Sequence, residues 1–513
     1  MGESSIRLAA MVILATAVLA KVVGFMREAV VAATYGTSHV VDVYLAGITL
    51  PTMAVTIVFH FVPNAFIPLF SETTSDEQTH RQAWRVLGLA CLISVGMWWL
   101  AGPLASLTNS GFPESLQSET VAVLRITAAA IALATVEALL RSRLLARRRF
   151  VRPGVSLLLQ SGIMIIAIWL YPNGGPRTLA WGYLVGTAAA ALCNLSPAEF
   201  FGRRRVQHVS DAATSSLRDN FGLWVPMVML IDTIPQLHTV IDRHLGAGLA
   251  EGSIAALQYA DLISTMPVSI CGLALGTAVF PFLSKALQLQ DLRRASEILD
   301  TCIGLSLLMT VPTMVWLMLF GQEITGLLYE RGAFDQDARQ LTAWTLMAYA
   351  PGLIPNALMI IIPKVFYSSH RWVPVLLSSV LSVAVKSLIS FWLVEQHGIF
   401  GLAAASAIAS SVGAMFLLLA LPSAFTTGFW RRWVQNALVL SLICITCALA
   451  AIALASVLPV QSQTVLAIVK LACAIVLTAS IIYSIASRVG LREVDVLKES
   501  VNRLILSPFN QNR

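Results

Sequence analysis

Lys21, Arg27, Glu28 and Asp42 interrupt stretches of sequence that are otherwise apolar, and so do Asp232, Asp242, Arg243 and Asp261. Lys364, Lys386, Glu395 and Lys470 do the same further on. A charge at the centre of a bilayer costs roughly 3 kcal/mol on insertion scales and more in simulations, so each needs a reason. Lys21 and Glu28 are seven residues apart and share a helix face; Arg27 lies on the adjoining one. A surface bearing Lys21, Arg27 and Asp42 cannot point at lipid tails. It faces protein or a water-filled cavity. Two chemistries suit it: structural ion pairing, Arg27 with Asp42 for example, or a cationic chamber that holds an anionic group such as a pyrophosphate. Both can hold at once. Glu28, Glu395 and Lys470 read as interfacial, Lys470 by snorkelling. His60 and His238 sit mid-span, as hydrogen-bonded core histidines or as proton relays.

The elements that must position these groups are membrane helices. The 513 residues are 57% hydrophobic and only 12% charged, against about a quarter charged in soluble proteins. Apolar runs of about twenty residues suffice to cross a bilayer as helix. Hydropathy places about fourteen: 8–34, 41–70, 84–107, 119–140, 153–171, 178–201, 221–243, 252–284, 297–320, 341–367, 373–395, 399–421, 434–457 and 464–486. The run from Leu8 to Val23 is too long for a signal-peptide core and reads as a retained span. Two stretches carry the same punctuation 216 positions apart: Arg27, Gly36 and Pro51 recur as Arg243, Gly252 and Pro267. Pro68-Leu69-Phe70-Ser71 returns as Pro281-Phe282-Leu283-Ser284. The fold expected is an all-α integral membrane protein. Two homologous six-helix lobes (1–205 and 206–425) surround a central cavity, and two further spans and a tail (426–513) follow.

The net charge of +7 does not point to nucleic acid, because the cations segregate by loop. Arg81, Arg85, the cluster Arg141 to Arg152, Arg203 to Arg205, Lys285, Arg293, Arg294, Arg431, Arg432 and the tail fall on one side. That side should be cytoplasmic, with both termini. Attraction of anionic headgroups is a secondary role.

Enzyme signatures are absent. There is no G-x-x-x-x-G-K-[ST] loop and no H-E-x-x-H. Cys444 and Cys447 have C-x-x-C spacing, but mid-span and without His or acidic neighbours, so no metal or redox chemistry is expected. Proline breaks spans two, eight and ten, and Gly272 and Gly276 have G-x-x-x-G spacing. Such residues bend helices and let them approach closely.

The stretch Lys21 to Glu28, followed by Asp42, Leu50-Pro51 and Ala65 to Pro68, resembles the opening of the MurJ/MviN lipid II flippases. These belong to the multidrug/oligosaccharidyl-lipid/polysaccharide exporter superfamily. Asp242-Arg243, Glu251 to Asp261, Gly272 to Ala278 and Leu328 to Phe334 resemble further family segments. The resemblance covers residues 10 to 420 and implies a flippase rather than an enzyme. Its substrate would be an undecaprenyl-pyrophosphate-linked glycan, moved from the inner to the outer leaflet of the bacterial cytoplasmic membrane by alternating access. Arg27 and Asp42 match family functional positions, and Lys21 matches conservatively. With His60, Arg243, Asp261 and Lys364 they form the expected substrate cavity. No cofactor is implied. Membrane potential, H+ or Na+ are the candidate driving forces. The expected partners are membrane lipids and the lipid-linked glycan, and the expected state is a monomer.

Two departures qualify the resemblance. Cations usual in the family after Leu-Pro of span two and after Tyr-Ala-Asp are absent: Thr52 to Phe59 has none, and Leu262 follows Asp261. A lipid-linked exopolysaccharide or capsule repeat is therefore an alternative substrate, and a multidrug or cation antiporter of the superfamily is an alternative function. Some relatives hold sodium with an acid in span seven, which Asp232 matches, and ligands in span eleven, where Lys386 stands instead. An ammonium donates and cannot ligate a cation. Lys386 is expected to pair with Asp232 and replace the ion.

Overall fold

The computed structural model describes residues 3–71, 76–147, 149–195, 227, 229–231, 233–422, 425, 429–457 and 463–489. All of its regular elements are helical. In chain order they are α1 (Glu3–Tyr35), α2 (His39–Ser71), α3 (Asp76–Trp99), α4 (Ala101–Thr108), α5 (Glu114–Ala146), α6 (Val151–Leu170) and α7 (Gly175–Asn194). Then follow α8 (Leu237–Gly246), α9 (Ser253–Gln288), α10 (Leu292–Leu319), α11 (Gly321–Tyr329), α12 (Gln336–Tyr349), α13 (Leu353–Ile361) and α14 (Pro363–Ser368). The last three are α15 (Val373–Ala420), α16 (Phe429–Val457) and α17 (Gln463–Val489). Among the described residues, seven helices are long and apolar enough to cross a membrane. An eighth span is the pair α3–α4, bent by 73°. Among the described residues the helices fall on the runs expected from hydropathy; most of the seventh run, 221–243, lies outside them. Spans eleven and twelve merge as α15, but Gly398 at φ 55 and ψ −132 breaks it where the sequence placed the gap.

The chain forms two compact units. One comprises Met1–Tyr259, Tyr329–Ala338 and Ser390–Leu402; the other comprises Ala260–Leu328, Arg339–Ile389 and Ala403–Arg513.

In the first unit α5 is the central post, packed by α2, α3 and α7, while α6 joins α7 to α1. Lipid gives apolar helices no hydrophobic reason to associate, so close approach through small residues decides the seams. A Cβ on Gly47 of α2 would lie 2.7 Å from Val123 Cγ1 of α5. One on Gly186 of α7 would lie 2.7 Å from the Gln160 carbonyl of α6. Between these seams Val62, Ala65 and Phe66 of α2 bury Ala138 of α5.

The second unit uses the same device: Gly272 of α9 meets Ile360 of α13, and Gly413 of α15 meets Met359. Its last two helices are pinned by polar bonds as well as by packing. Trp433 Nε1 donates to Asp300 Oδ1 at 2.7 Å, both buried. Lys470 Nζ lies 3.1 Å from Glu323 Oε1, so it is held in an ion pair rather than simply snorkelling.

The repeat seen in the sequence is a repeat of backbone. Gly36 joins α1 to α2 at φ +60, and Gly252 joins the α8 turn to α9 at φ +83. Neither tolerates a side chain: a Cβ on Gly252 would lie 2.2 Å from the Thr37 carbonyl, and one on Gly36 2.4 Å from that of Ala333. Gly252→Ala is expected to lower stability by about 1–3 kcal/mol, from left-handed strain plus the clash. Gly24, mid-helix with nothing within 4 Å of its Cβ position, is the control: Gly24→Ala should be neutral or stabilising by about 0.5–1 kcal/mol. Thermal unfolding of the purified variants checks both.

Candidate functional site

The start of each repeat meets the other in the first unit, and helix ends dominate the meeting. A helix leaves its first N–H groups and its last carbonyls without intrahelical partners, which apolar surroundings do not supply. At the N-terminus of α9 the partner comes from α2. Asp42 Oδ2 accepts from Gly252 N at 2.7 Å, and Asp42 Oδ1 from Ala255 N at 2.7 Å. At the N-terminus of α2 the partner comes from the turn before α9: Glu251 Oε1 accepts from His39 N at 2.8 Å. Each repeat therefore caps the opposite repeat's helix with a carboxylate. Both caps also place negative charge at the positive end of a helix dipole.

The remaining ends are closed in the same exchange. Ala333 N donates to the Ala33 carbonyl near the end of α1, at 2.8 Å. Tyr259 Oη donates to the Gly36 carbonyl at 3.0 Å. Gly332, at φ +60, lets the 330–335 turn approach so closely that a Cβ there would lie 2.2 Å from the Ala33 carbonyl. Tyr259, Tyr329 and Phe334 are fully buried around this point, with ring centroids 5.1 to 5.8 Å apart. The rings exclude water from the bonds they surround.

Arg27 lies two turns before Gly36 on α1. Its Nη2 bonds Glu28 Oε1 at 2.5 Å, while its Nε has no partner. Tyr44 of α2 and Tyr183 of α7 are close enough to interact with the guanidinium electrostatically. The expected pairing of Arg27 with Asp42 does not form: Arg27 pairs with Glu28, and the Asp42 oxygens accept from amides of α9. Glu28, expected at the interface, is buried at 8% exposure as the partner of Arg27. Lys21 is exposed on the same helix, and His60 is exposed on α2. Arg243, the repeat equivalent of Arg27, is buried; it donates to the Ile254 carbonyl at 3.0 Å and to Gln258 Oε1. It thus stiffens the turn into α9.

Asp261, Lys364 and Lys386 belong to the second unit. Asp261 is exposed, Lys364 half-buried and Lys386 fully buried at 1% exposure. Ser378 and Ser382, on the face of α15 that carries Lys386, donate to the carbonyls of Gly413 and Ala409 at 3.0 and 3.1 Å. Asp232 and its expected pairing with Lys386 lie outside the described residues. Among the described residues no cluster of His, Cys, Asp or Glu has the make-up of a metal site.

Glu251, His39, Tyr259 and the 330–335 turn did not stand out in the sequence as functional. The available signal was Glu251's position immediately before the repeated glycine.

A sequence profile described as "Lipid II flippase MurJ" matches residues 31–475. A probable lipid II flippase MurJ of Rhizobium tropici is 28% identical over 425 residues, covering 78% of each chain. Another from Rhizobium meliloti is 25% identical, covering 94% of this chain and 93% of its own. The lipid II flippase MurJ of Burkholderia cenocepacia is 24% identical, covering 82% and 86%. Among solved structures, a lipid II flippase MurJ in an inward closed conformation superposes with a TM-score of 0.78 at 19% identity, covering 94% of this chain and 99% of that one. An inward-facing multidrug resistance MATE family transporter of the MOP superfamily gives 0.62 at 15% identity, covering 80% and 94%. At these identities the structural likenesses establish the fold.

Asp42→Ala should expose two N–H groups and destabilise the protein by about 2–4 kcal/mol, one cap loss for each group. Amide exchange at Gly252 and Ala255 should accelerate, and unchanged exchange would contradict the capping role. The Glu251 carboxyl is held below its usual range, first by the His39 backbone N–H and then by the His39 imidazole. A depressed carboxylate stabilises the fold at neutral pH and loses that effect as pH falls through its folded-state value. Exchange at His39, corrected for its intrinsic pH dependence, should therefore rise on acidification. In Glu251→Ala, which has no side-chain acceptor, it should be fast at neutral pH already.

Proposed function

This chain belongs to the lipid II flippase MurJ family, and from that membership we propose that it carries an undecaprenyl-pyrophosphate-linked glycan from the inner to the outer leaflet by alternating access. The observation that carries the mechanism is the exchange of caps between repeats: Asp42 on α9 and Glu251 on α2. Caps of this kind are worth about 1–2 kcal/mol each, strong enough to hold one end shut and weak enough to release. Buried hydroxyls without partners on Tyr35 and Tyr329 work against the shut form by about 1–3 kcal/mol each. That keeps the two forms close in free energy.

With both termini cytoplasmic, the α1–α2 and α8–α9 turns lie on the outer side, and the caps form an outer latch. The headgroup enters from the cytoplasm. Lys21 and Arg27 stand ready on α1, and the free Nε of Arg27 offers a directed donor to a phosphate oxygen. Arg243 is engaged in its own turn, and within the second unit the half-buried Lys364 stands in for the cation missing after Asp261. His60 adds a polar group on α2 of the first unit. A potential negative inside drives an anion outward by roughly 2.3 kcal/mol per charge per 100 mV, comparable with releasing the latch. Lys386, an ammonium donor that cannot ligate a cation, stands in for a sodium ion. The likeness to a MATE transporter concerns the fold and leaves the lipid-linked glycan as the preferred cargo.

Complementation of a lipid II flippase depletion tests the assignment. The wild-type chain is expected to restore growth, and Arg27→Ala to lower headgroup affinity roughly 10- to 100-fold, the loss of one charged hydrogen bond. Rescue failure by a stably inserted wild-type chain would transfer the assignment to another polyprenyl-linked glycan. In reconstituted vesicles, replacing sodium with choline should leave transport unchanged, whereas a sodium requirement would refute the role given to Lys386.

A further inference from the structure

Arg125 is a charge in a membrane-spanning helix that the transport scheme does not use. It lies eleven residues into α5, roughly 16 Å from Glu114 along the axis. It is six residues deeper than the half-buried Glu119 and eleven deeper than the exposed Glu114, which places it within snorkelling reach of the interface. It is exposed on the outside of the first unit. Its guanidinium carbon sits 5.4 Å from the ring centroid of Trp98. Among the described residues no carboxylate pairs with it. Trp98 and Trp99 are 52% and 75% exposed at the end of α3, as aromatic residues of a membrane interface are. A cation–π contact with Trp98 uses the face of the guanidinium and none of its N–H donors, so the fork remains available to a bidentate phosphate.

We propose that Arg125 and Trp98 form a binding site for the phosphate of an anionic phospholipid in the leaflet adjoining the α3–α4 bend. An anionic lipid is favoured because a zwitterionic headgroup presents its own cation to the guanidinium. The site lies next to the bend. After Trp99 the chain turns by 73° into α4, and α4 leads to the fully buried Asn109. Two residues on, Gly111 packs so tightly on Gly248 that an added Cβ would lie 2.5 Å from the Gly248 Cα. Gly248 precedes the Glu251–Gly252 cap by one turn. A lipid that fixes the bend also fixes the loop leaning on the latch.

The test is native mass spectrometry of the full chain titrated with phosphatidylglycerol. Arg125→Gln and Trp98→Ala should each lose one retained lipid, or bind it about fivefold more weakly. Arg125→Lys should keep part of the affinity. Arg149→Gln, at the other end of α5, should leave this lipid in place. Amide exchange at Phe112 should slow when the lipid is added to the wild type and not when it is added to Arg125→Gln. An unchanged lipid count in Arg125→Gln overturns the site. A changed count with unmoved exchange overturns its link to the loop. Displacement of the lipid by farnesyl pyrophosphate would place the site on the cargo's path and overturn the assignment to a bilayer lipid. None of these readouts requires transport, so the site stands or falls apart from the identity of the cargo.

Discussion

A helix that ends near a bilayer leaves peptide groups which neither lipid tails nor its own turns can satisfy. The first unit is organised around that constraint. Three helix ends and one turn come together, and each is closed by an atom from a distant segment: Asp42 for α9, Glu251 for α2, Ala333 for α1 and Tyr259 for the Gly36 carbonyl in the α1–α2 turn. Remove Asp42 or Tyr259 and a buried group is orphaned beside the packed rings of Tyr259, Tyr329 and Phe334, whereas the Glu251 cap on His39 is exposed. The glycines at 36, 252 and 332 follow from this constraint, since only backbone without a Cβ can bring the ends so close. A membrane transporter needs a closure that is specific yet reversible. Directed bonds to helix ends provide both, because their geometry admits one partner while their net worth stays at a few kcal/mol.

Much of this architecture was legible from residue order. Apolar runs located the helices, and Gly398 between two of them marks where α15 bends. The offset of 216 residues anticipated that Gly36 and Gly252 would play one role, and both adopt left-handed backbone. A repeated glycine carries its backbone requirement in its identity, so that inference needs no coordinates. The partners of the charges were not legible. Asp42 reads as a cavity charge until its acceptors are seen to be spent on amides 210 and 213 residues away. Arg27 pairs with the adjacent Glu28, a contact that helix spacing rules do not favour. Any peptide group can serve as donor to a carboxylate, and so nothing in composition distinguishes Asp42 from a ligand-binding acid. The two helices beyond the repeats show the same limit: Trp433 and Lys470 reveal their attachment only beside Asp300 and Glu323.

The two repeated stretches differ where they meet. The position that is Asp42 in the first is Gln258 in the second, and the two do different work. Asp42 reaches across to α9, while Gln258 accepts from Arg243 within its own turn. At this pair of positions one side is a carboxylate that reaches the other segment and the other is an amide that stays within its own turn, while the return contact is made by Glu251 on His39.

The long separation of the crossed caps bears on biogenesis. Asp42 must wait for a segment about 210 residues further along the chain. At typical synthesis rates of about 5–20 residues per second, that delay is on the order of 10–40 s. Throughout it, the nascent N-terminal bundle sits in the insertion machinery with an unanswered carboxylate at the head of its second helix. Insertases or lateral water must shelter that group until the matching segment emerges. A truncated product ending before α9 would display the same defect, giving quality-control proteases a ready way to tell an unfinished chain from a finished one.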